Sequence, residues 1–344
     1  MARFVSAGSA DDLRRSFTRS LQSGHINFLI GSGASLPAIP AAGNIEEEIR
    51  TLLRNGDPAA NARMSAFLAS VQGPTNELIA GVNSPNLAAT LANYKQFIEA
   101  VEAVLVRRRS TLLPRQVTVF STNYDLFVES VAADYPALNL NDGFARVRGL
   151  APRLEFSSDS FFRTTYSTGN FYGYKAEVPS VNLIKLHGSL SWKREGEKII
   201  LDVSRKALPD PAAGALIAEE FIRSFSVVLP RAEKFQTTLM DRTYYDLLRI
   251  YANELDRENA LLIVFGFSFA DEHIRDITTR ALRNPTLRVL IAAYNTAARD
   301  SFAALFENHN NVEIIEPSGA NLGFETFNSI LRSVLAPASS PAAA

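Results

Sequence analysis

The sequence has no cysteine among its 344 residues. Disulfides, thiolate zinc sites, iron–sulfur clusters and cysteine nucleophiles are therefore excluded from this stretch of chain. The lack also fits a reducing compartment. No run of about 18 apolar residues occurs, so no membrane-spanning helix is expected. The N-terminus lacks the basic-then-apolar pattern of a secretory leader, and a cytoplasmic location is the expectation. Neither sign of charge is in excess. A net charge of -1 gives no overall field to hold nucleic acid or an anionic membrane. The basic run Arg107-Arg108-Arg109 reads more simply as a solvated helix end than as a phosphate patch. Histidine is scarce as well, with four in the chain: His25, His187, His273 and His309.

What is present is ordinary for a soluble globular protein, at 47% hydrophobic and 21% charged residues. The length suits one large domain, or one domain with a sizeable insertion. Apolar periodicity predicts helices over 8–22, 44–55, 58–72 and 86–108, with Asn44 capping the second and the Glu46-Glu47-Glu48 run suiting its first turn. Compact β-prone runs predict strands at 25–30, 116–121, 181–186, 198–203 and 226–229. Helices are expected at 125–133 and 238–255.

From residue 260 the pattern alternates: strands at 260–265, 287–293 and 311–315, helices at 271–283, 297–308 and 322–334. Continuous apolar strands alternating with helices imply an α/β fold with a Rossmann-like parallel sheet and helices on both faces. The expected organisation is a single domain over 1–335. It carries a helical insertion at about 45–110, an irregular Gly/Ser/Tyr-rich insertion or lid with short strands at about 135–180 and a disordered Pro/Ala/Ser tail at 336–344. No internal repeat is evident.

Chemistry-bearing residues gather where strands end. The first predicted strand runs into Gly31-Ser32-Gly33-Ala34-Ser35, a glycine loop able to approach a phosphate. By itself this reads equally as a tight turn, because no third glycine follows at dinucleotide spacing. The next strand ends in Ser121-Thr122-Asn123-Tyr124-Asp125, where Asp125 could serve only as a helix cap. Another ends in Lys185-Leu186-His187-Gly188-Ser189. His187 alone among the histidines sits at a strand end before a glycine; the other three read as structural or solvent-facing. A fourth strand ends in Gly266-Phe267-Ser268-Phe269-Ala270-Asp271, with Asp271 reading as a cap, and a fifth in Tyr294-Asn295-Thr296. Five decorated ends on one rim of one sheet point to a nucleotide pocket containing an asparagine and a histidine.

At these residues the chain resembles the sirtuin-like family, specifically its bacterial zinc-free branch. The similarity rests on Gly31–Ser35 as a loop, Ser121-Thr122-Asn123-Tyr124-Asp125, Lys185-Leu186-His187-Gly188-Ser189 and Gly266-Phe267-Ser268, in family order over about residues 25–300. The resemblance implies an NAD-binding domain. Gly31, Ser32, Gly33 and Ser35 would line the phosphate side. Asn123 would position the nicotinamide ribose and the nucleophile, Asp125 would meet the nicotinamide amide, and His187 would be the general base. Gly266, Ser268 and Asn295 would contact the adenosine half, and Thr122 and Gly188 would complete the cofactor site. No metal is implied.

Departures from the protein deacylases of the family are clear. Their four-cysteine zinc module has no counterpart, the segment 36–44 lacks an Asp-Phe-Arg triplet, and Thr122 replaces the usual glutamine. Zinc-free members resemble NAD hydrolases of antiviral defence that deplete NAD, work as homo-oligomers and in some cases act with a HerA-type ATPase. The expectation is hydrolysis of NAD to nicotinamide and ADP-ribose. A deacylase or ADP-ribosyltransferase, and a non-enzymatic NAD or ADP-ribose sensor or assembly module, are the alternatives. Helices at 8–22, 58–108 and 322–334 offer oligomer interfaces.

Overall fold

A computed structural model describes residues 2–41, 43–108, 113–147, 153–168, 175–210, 215–228 and 242–335. The expected tail at 336–344, the start of the helix expected at 238 and the side chains of Asn44, Arg107 and Arg109 lie outside these described residues.

The architecture is α/β. Eight strands form one parallel sheet: β1 (Arg3–Ser6), β2 (His25–Ile30), β3 (Gln116–Ser121), β4 (Asn139–Asn141), β9 (Ser180–Lys185), β12 (Ala260–Phe265), β13 (Arg288–Ala292) and β14 (Val312–Glu316). Their order is β1-β14-β13-β12-β2-β3-β9-β4, and every neighbouring pair is parallel. β12 and β9 are buried along their whole length, as two-face burial demands of Ala-Leu-Leu-Ile-Val-Phe and Ser-Val-Asn-Leu-Ile-Lys.

Alternate residues serve separate cores. Phe28, Val119, Leu183 and Ile263 belong to one, and Leu29, Phe120, Ile184 and Leu262 to the other. The first face is covered by α1 (Ala10–Ser23), α4 (Pro85–Arg107), α5 (Phe127–Ala132) and α10 (Phe324–Leu335). The second is covered by α7 (Arg242–Asp256), α8 (Glu272–Ala281) and α9 (Thr296–Leu305). Aromatic pairs join helix to sheet: Phe97 meets Phe28 edge-on at 5.0 Å, and Phe327 stacks on Phe265 at 4.7 Å.

Between β2 and β3 lie α2 (Gly43–Arg54), α3 (Ala59–Ala80) and α4. The breaker Gly73-Pro74 predicts an end to the second of these near residue 72, yet α3 continues to Ala80. Its buried face, including Phe67, Val71 and Thr75, keeps it helical through the proline, and it packs against α6 (Ala215–Arg223), a helix the sequence reading missed. α3 stops where Gly81 takes φ +67° and its N–H closes on the carbonyls of Glu77 and Leu78.

The insertion at about 135–180 holds short strands, as expected. β5 (Phe144–Arg146) and β6 (Leu154–Phe156) join β10 (Trp192–Glu195) and β11 (Lys198–Leu201) in an antiparallel sheet, while β7 (Tyr166–Thr168) pairs with β8 (Lys175–Glu177). β1 and β10 are also additions to the sequence reading. The strand expected at 226–229 is corrected to one bridge between Val227 and Gly188, with residue 229 outside the described set. Arg108 is corrected too. It is buried, and its guanidinium donates to Pro114 O at 2.8 Å, to Leu21 O at 3.4 Å and to Gly24 O, so it ties chain segments together rather than forming part of a solvated helix end.

β2 and β12 are neighbours, but the chain leaves β2 toward β3 and leaves β12 toward β13. Their carboxyl ends therefore flank a topological switch point, the place where open α/β sheets hold ligands. Gly266 follows β12 there with φ +67°, and an added Cβ would stand 2.7 Å from Ala34 N. Gly266→Ala should therefore destabilise the fold by at least about 1–2 kcal/mol, the cost of the left-handed conformation alone. Urea unfolding of the two proteins checks this; equal midpoints would show that the crossing relaxes freely.

Candidate functional site

The parallel sheet delivers its strand-end residues to one cleft of about 630 Å³. Ser32, Ser35, Thr122, Asn123, Asp125, His187, Gly266 and Ser268 all line it, together with Tyr124, Phe267, Ala270 and Asp271. Ile39, Pro40, and Phe67 and Val71 of α3 form an apolar side. Gly31, Gly33, Gly188 and Asn295 are not in this lining. A Cβ on Gly31 would run into Gly266 O, and one on Gly33 would stand 2.8 Å from Gly266 Cα. These two glycines let backbone approach backbone. Gly188, at φ +80°, turns the chain against Ser226 O and Tyr244. Asn295 caps α9, its Oδ1 accepting from Ala298 N at 2.9 Å.

Asn123 is held from several sides. Its Nδ2 donates to Gly31 O at 3.0 Å and to Ser35 Oγ at 3.0 Å, and lies 3.4 Å from Tyr94 OH. Gly31 O can only accept, so the amide nitrogen must face it and the amide oxygen must face away. Ser35 Oγ donates in turn to Asp125 Oδ2 at 2.5 Å. The other Asp125 oxygen accepts from Phe127 N at 3.3 Å, so the residue ties the first residue of α5 to Ser35, although Leu126 is the residue at the N-cap. Asn123, Ser35 and Asp125 thus form one directional chain of donors, all buried. Tyr94, on α4, completes it. Burial and then the Asp125 carboxylate hold its hydroxyl well above the ordinary value, so it stays protonated.

Lys185 lies beneath this loop, almost fully buried. Its Nζ donates to Asp125 O, reaches Asn123 O at 3.5 Å and stands 3.4 Å from Glu129 Oε1. Among the described residues Glu129 Oε2 has no hydrogen-bond partner. Burial raises the Glu129 carboxyl to about 7 against the opposing pull of Lys185, with Asp125 and Asp142 adding to the rise. On the opposite rim His187 Nε2 lies 3.2 Å from Asp271 Oδ2, both side chains being buried. The His187 backbone oxygen accepts from Val228 N at 2.8 Å.

Tyr94, Lys185 and Asp271 escaped the sequence reading as site residues. Tyr94 looks like a core residue of an apolar helix, and Asp271 looks like a cap, which it also is. Lys185 belongs to the Lys185–Ser189 strand end, but only the fold shows its ammonium beneath Asn123 and Asp125. No group of three or more metal-ligating side chains occurs among the described residues. No helix among them is long and apolar enough to cross a membrane.

A family model described as a SIR2-like domain matches residues 117–315, more than half of the chain. The match runs from β3 into β14 and includes Asn123, His187 and Gly266. No curated protein matches the chain.

The raised Glu129 carboxyl has a pH signature. Its folded-state value lies above the ordinary carboxyl value of 4.5, so its contribution to stability is fully present at low pH and is lost as pH rises through about 7. Relative to Glu129→Gln, the native chain should lose stability over that window by at most about 1.4 kcal/mol per pH unit. Paired urea melts from about pH 4.5 to 8 measure it; a difference constant with pH would mean that the carboxyl is not raised.

Proposed function

The chain belongs to the SIR2-like family, and on that premise we propose that it is an NAD glycohydrolase, cleaving NAD with water to nicotinamide and ADP-ribose. One juxtaposition supports this most. Asn123 and His187, from the ends of neighbouring strands β3 and β9, line the same cleft at the switch-point side of the sheet. The cleft walls supply both polar and apolar lining.

In this reading water attacks C1′ of the nicotinamide ribose. The C1′–N bond breaks, and nicotinamide leaves with that electron pair, which neutralises its ring. His187 takes the proton of the attacking water. Asn123, its Nδ2 already committed to Gly31 O, Ser35 and Tyr94, offers its amide oxygen to the water or a ribose hydroxyl. Asp125, fixed by Ser35 and Phe127 N, is assigned to the nicotinamide amide. Fixed dipoles of this kind need no rearrangement as charge develops. Ser32, Thr122, Gly266 and Ser268 would contact the rest of NAD, with Asn295 beyond the cleft on the adenosine side. The chain has no cysteine with which to build a four-cysteine zinc module, which favours water over acyl-lysine as the acceptor. Homo-oligomerisation, a HerA-type ATPase partner and NAD depletion in antiviral defence extend the same proposal.

Nicotinamide release from NAD by the full chain tests it, with product mass and particle size followed alone and with the products of neighbouring genes. Asn123→Ala and His187→Ala should each lower release by about 10²–10⁴-fold. Undiminished release by both variants would overturn the assignment, and deacylated peptide in place of ADP-ribose would replace it with acyl transfer.

A further inference from the structure

We infer that Asp271 is the positioning residue that sets the tautomer of His187, so that Nδ1 is the basic nitrogen presented to the cleft. This rests on the reading of His187 as the general base. The Asp271 carboxylate is oriented from both ends. Oδ1 accepts from His273 N at 3.0 Å and Ile274 N at 3.2 Å at the start of α8, and Oδ2 faces His187 Nε2 at 3.2 Å. A carboxylate oxygen accepts, so this pairing favours the tautomer with its N–H at Nε2 and its lone pair on Nδ1. Among the described residues Nδ1 has no hydrogen-bond partner. The N-terminus of a ten-residue helix favours negative charge at Asp271.

The loop that delivers Asp271 is constrained in a way a simple cap does not require. Two of its residues are left-handed, Gly266 at φ +67° and Phe269 at φ +59°. A left-handed phenylalanine is costly and persists only where its surroundings over-determine it. Here the Phe269 ring is buried edge-on against Phe267 at 5.1 Å and Phe306 at 5.2 Å. That packing fixes the approach of Asp271 to the imidazole. A histidine base oriented by a carboxylate through its other nitrogen is a recurring solution to the tautomer problem.

Asp271→Asn separates positioning from capping. Asparagine caps a helix about as well as aspartate, so the fold should persist, as circular dichroism would confirm. Its side-chain amide can donate to Nε2 and so moves the ring proton to Nδ1. Nitrogen-15 shifts of His187, assigned through their loss in His187→Gln, should show protonated Nε2 in the native chain and protonated Nδ1 in Asp271→Asn. For nicotinamide release, kcat should fall about 10²-fold or more with KM little changed. The double variant His187→Ala/Asp271→Asn should be no slower than His187→Ala. A ring that keeps its proton on Nε2 in Asp271→Asn, or a double variant in which the two losses multiply, would overturn the inference. A native chain that releases no nicotinamide but shows the tautomer exchange would retire the hydrolase reading and leave the positioning role standing.

Discussion

At the centre of the molecule two backbones cross where no side chain fits. Gly31 N donates to Phe265 O at 3.0 Å, Gly33 N donates to Gly266 O at 3.0 Å, and Cβ atoms at any of the three glycines would collide with the opposite loop. The crossing exists because β2 and β12 are neighbours whose chains depart in opposite directions. Once the loops pass at hydrogen-bond distance, the short turn Ser32–Ser35 is thrown toward β3. Ser35 then meets Asn123 and Asp125, while the other loop continues from Gly266 to Asp271 and reaches His187. Both polar groups of the cleft take their positions from that contact.

The helices between β2 and β3 are part of the same construction. α4 brings Tyr94 to Asn123 and Ser35, and α3 brings Phe67 and Val71 to the cleft. α4 is in turn held by the C-terminal helix. Phe324 packs edge-on against Tyr94 at 5.1 Å, and the Asn328 amide donates to Asn93 O at 2.8 Å. A disturbance of α10 would therefore be felt at Asn123 through one tyrosine, although α10 does not line the cleft. Stability and site geometry are coupled there, since the packing that buries Tyr94 also orients its hydroxyl.

How far the fold can be read from sequence follows from where the information lies. Ala-Leu-Leu-Ile-Val-Phe and His-Ile-Asn-Phe-Leu-Ile are buried on both faces, so local composition and tertiary position agree and the strands are visible. Asn123 and His187 are visible for a related reason: polar residues directly after such strands have a rim to occupy. Other features depend on partners far along the chain. Gly73-Pro74 stays helical because α3 is buried on its neighbours. Trp-Lys-Arg-Glu becomes β10 because Trp192 enters an aromatic cluster with Phe144 and Phe156 while the charged residues face outward. Lys185 sits at the end of an apolar run, but only the fold places Glu129 and two loop carbonyls around its ammonium.

The two sides of the cleft are built on different electrostatic principles, and the difference bears on how each can act. On the Asn123 side the partners are assigned by groups that cannot change role. Gly31 O only accepts, Tyr94 stays protonated, and the donor chain from Asn123 through Ser35 runs one way into Asp125. Such a wall holds a ligand in one orientation and moves no proton. The His187 side contains a ring whose two nitrogens are chemically distinct, set against a carboxylate that a helix terminus fixes. That wall can accept a proton without moving heavy atoms. Separating orientation from proton transfer lets each be rigid in its own way, which is what the proposed cleavage of a bond by water would require of the two walls.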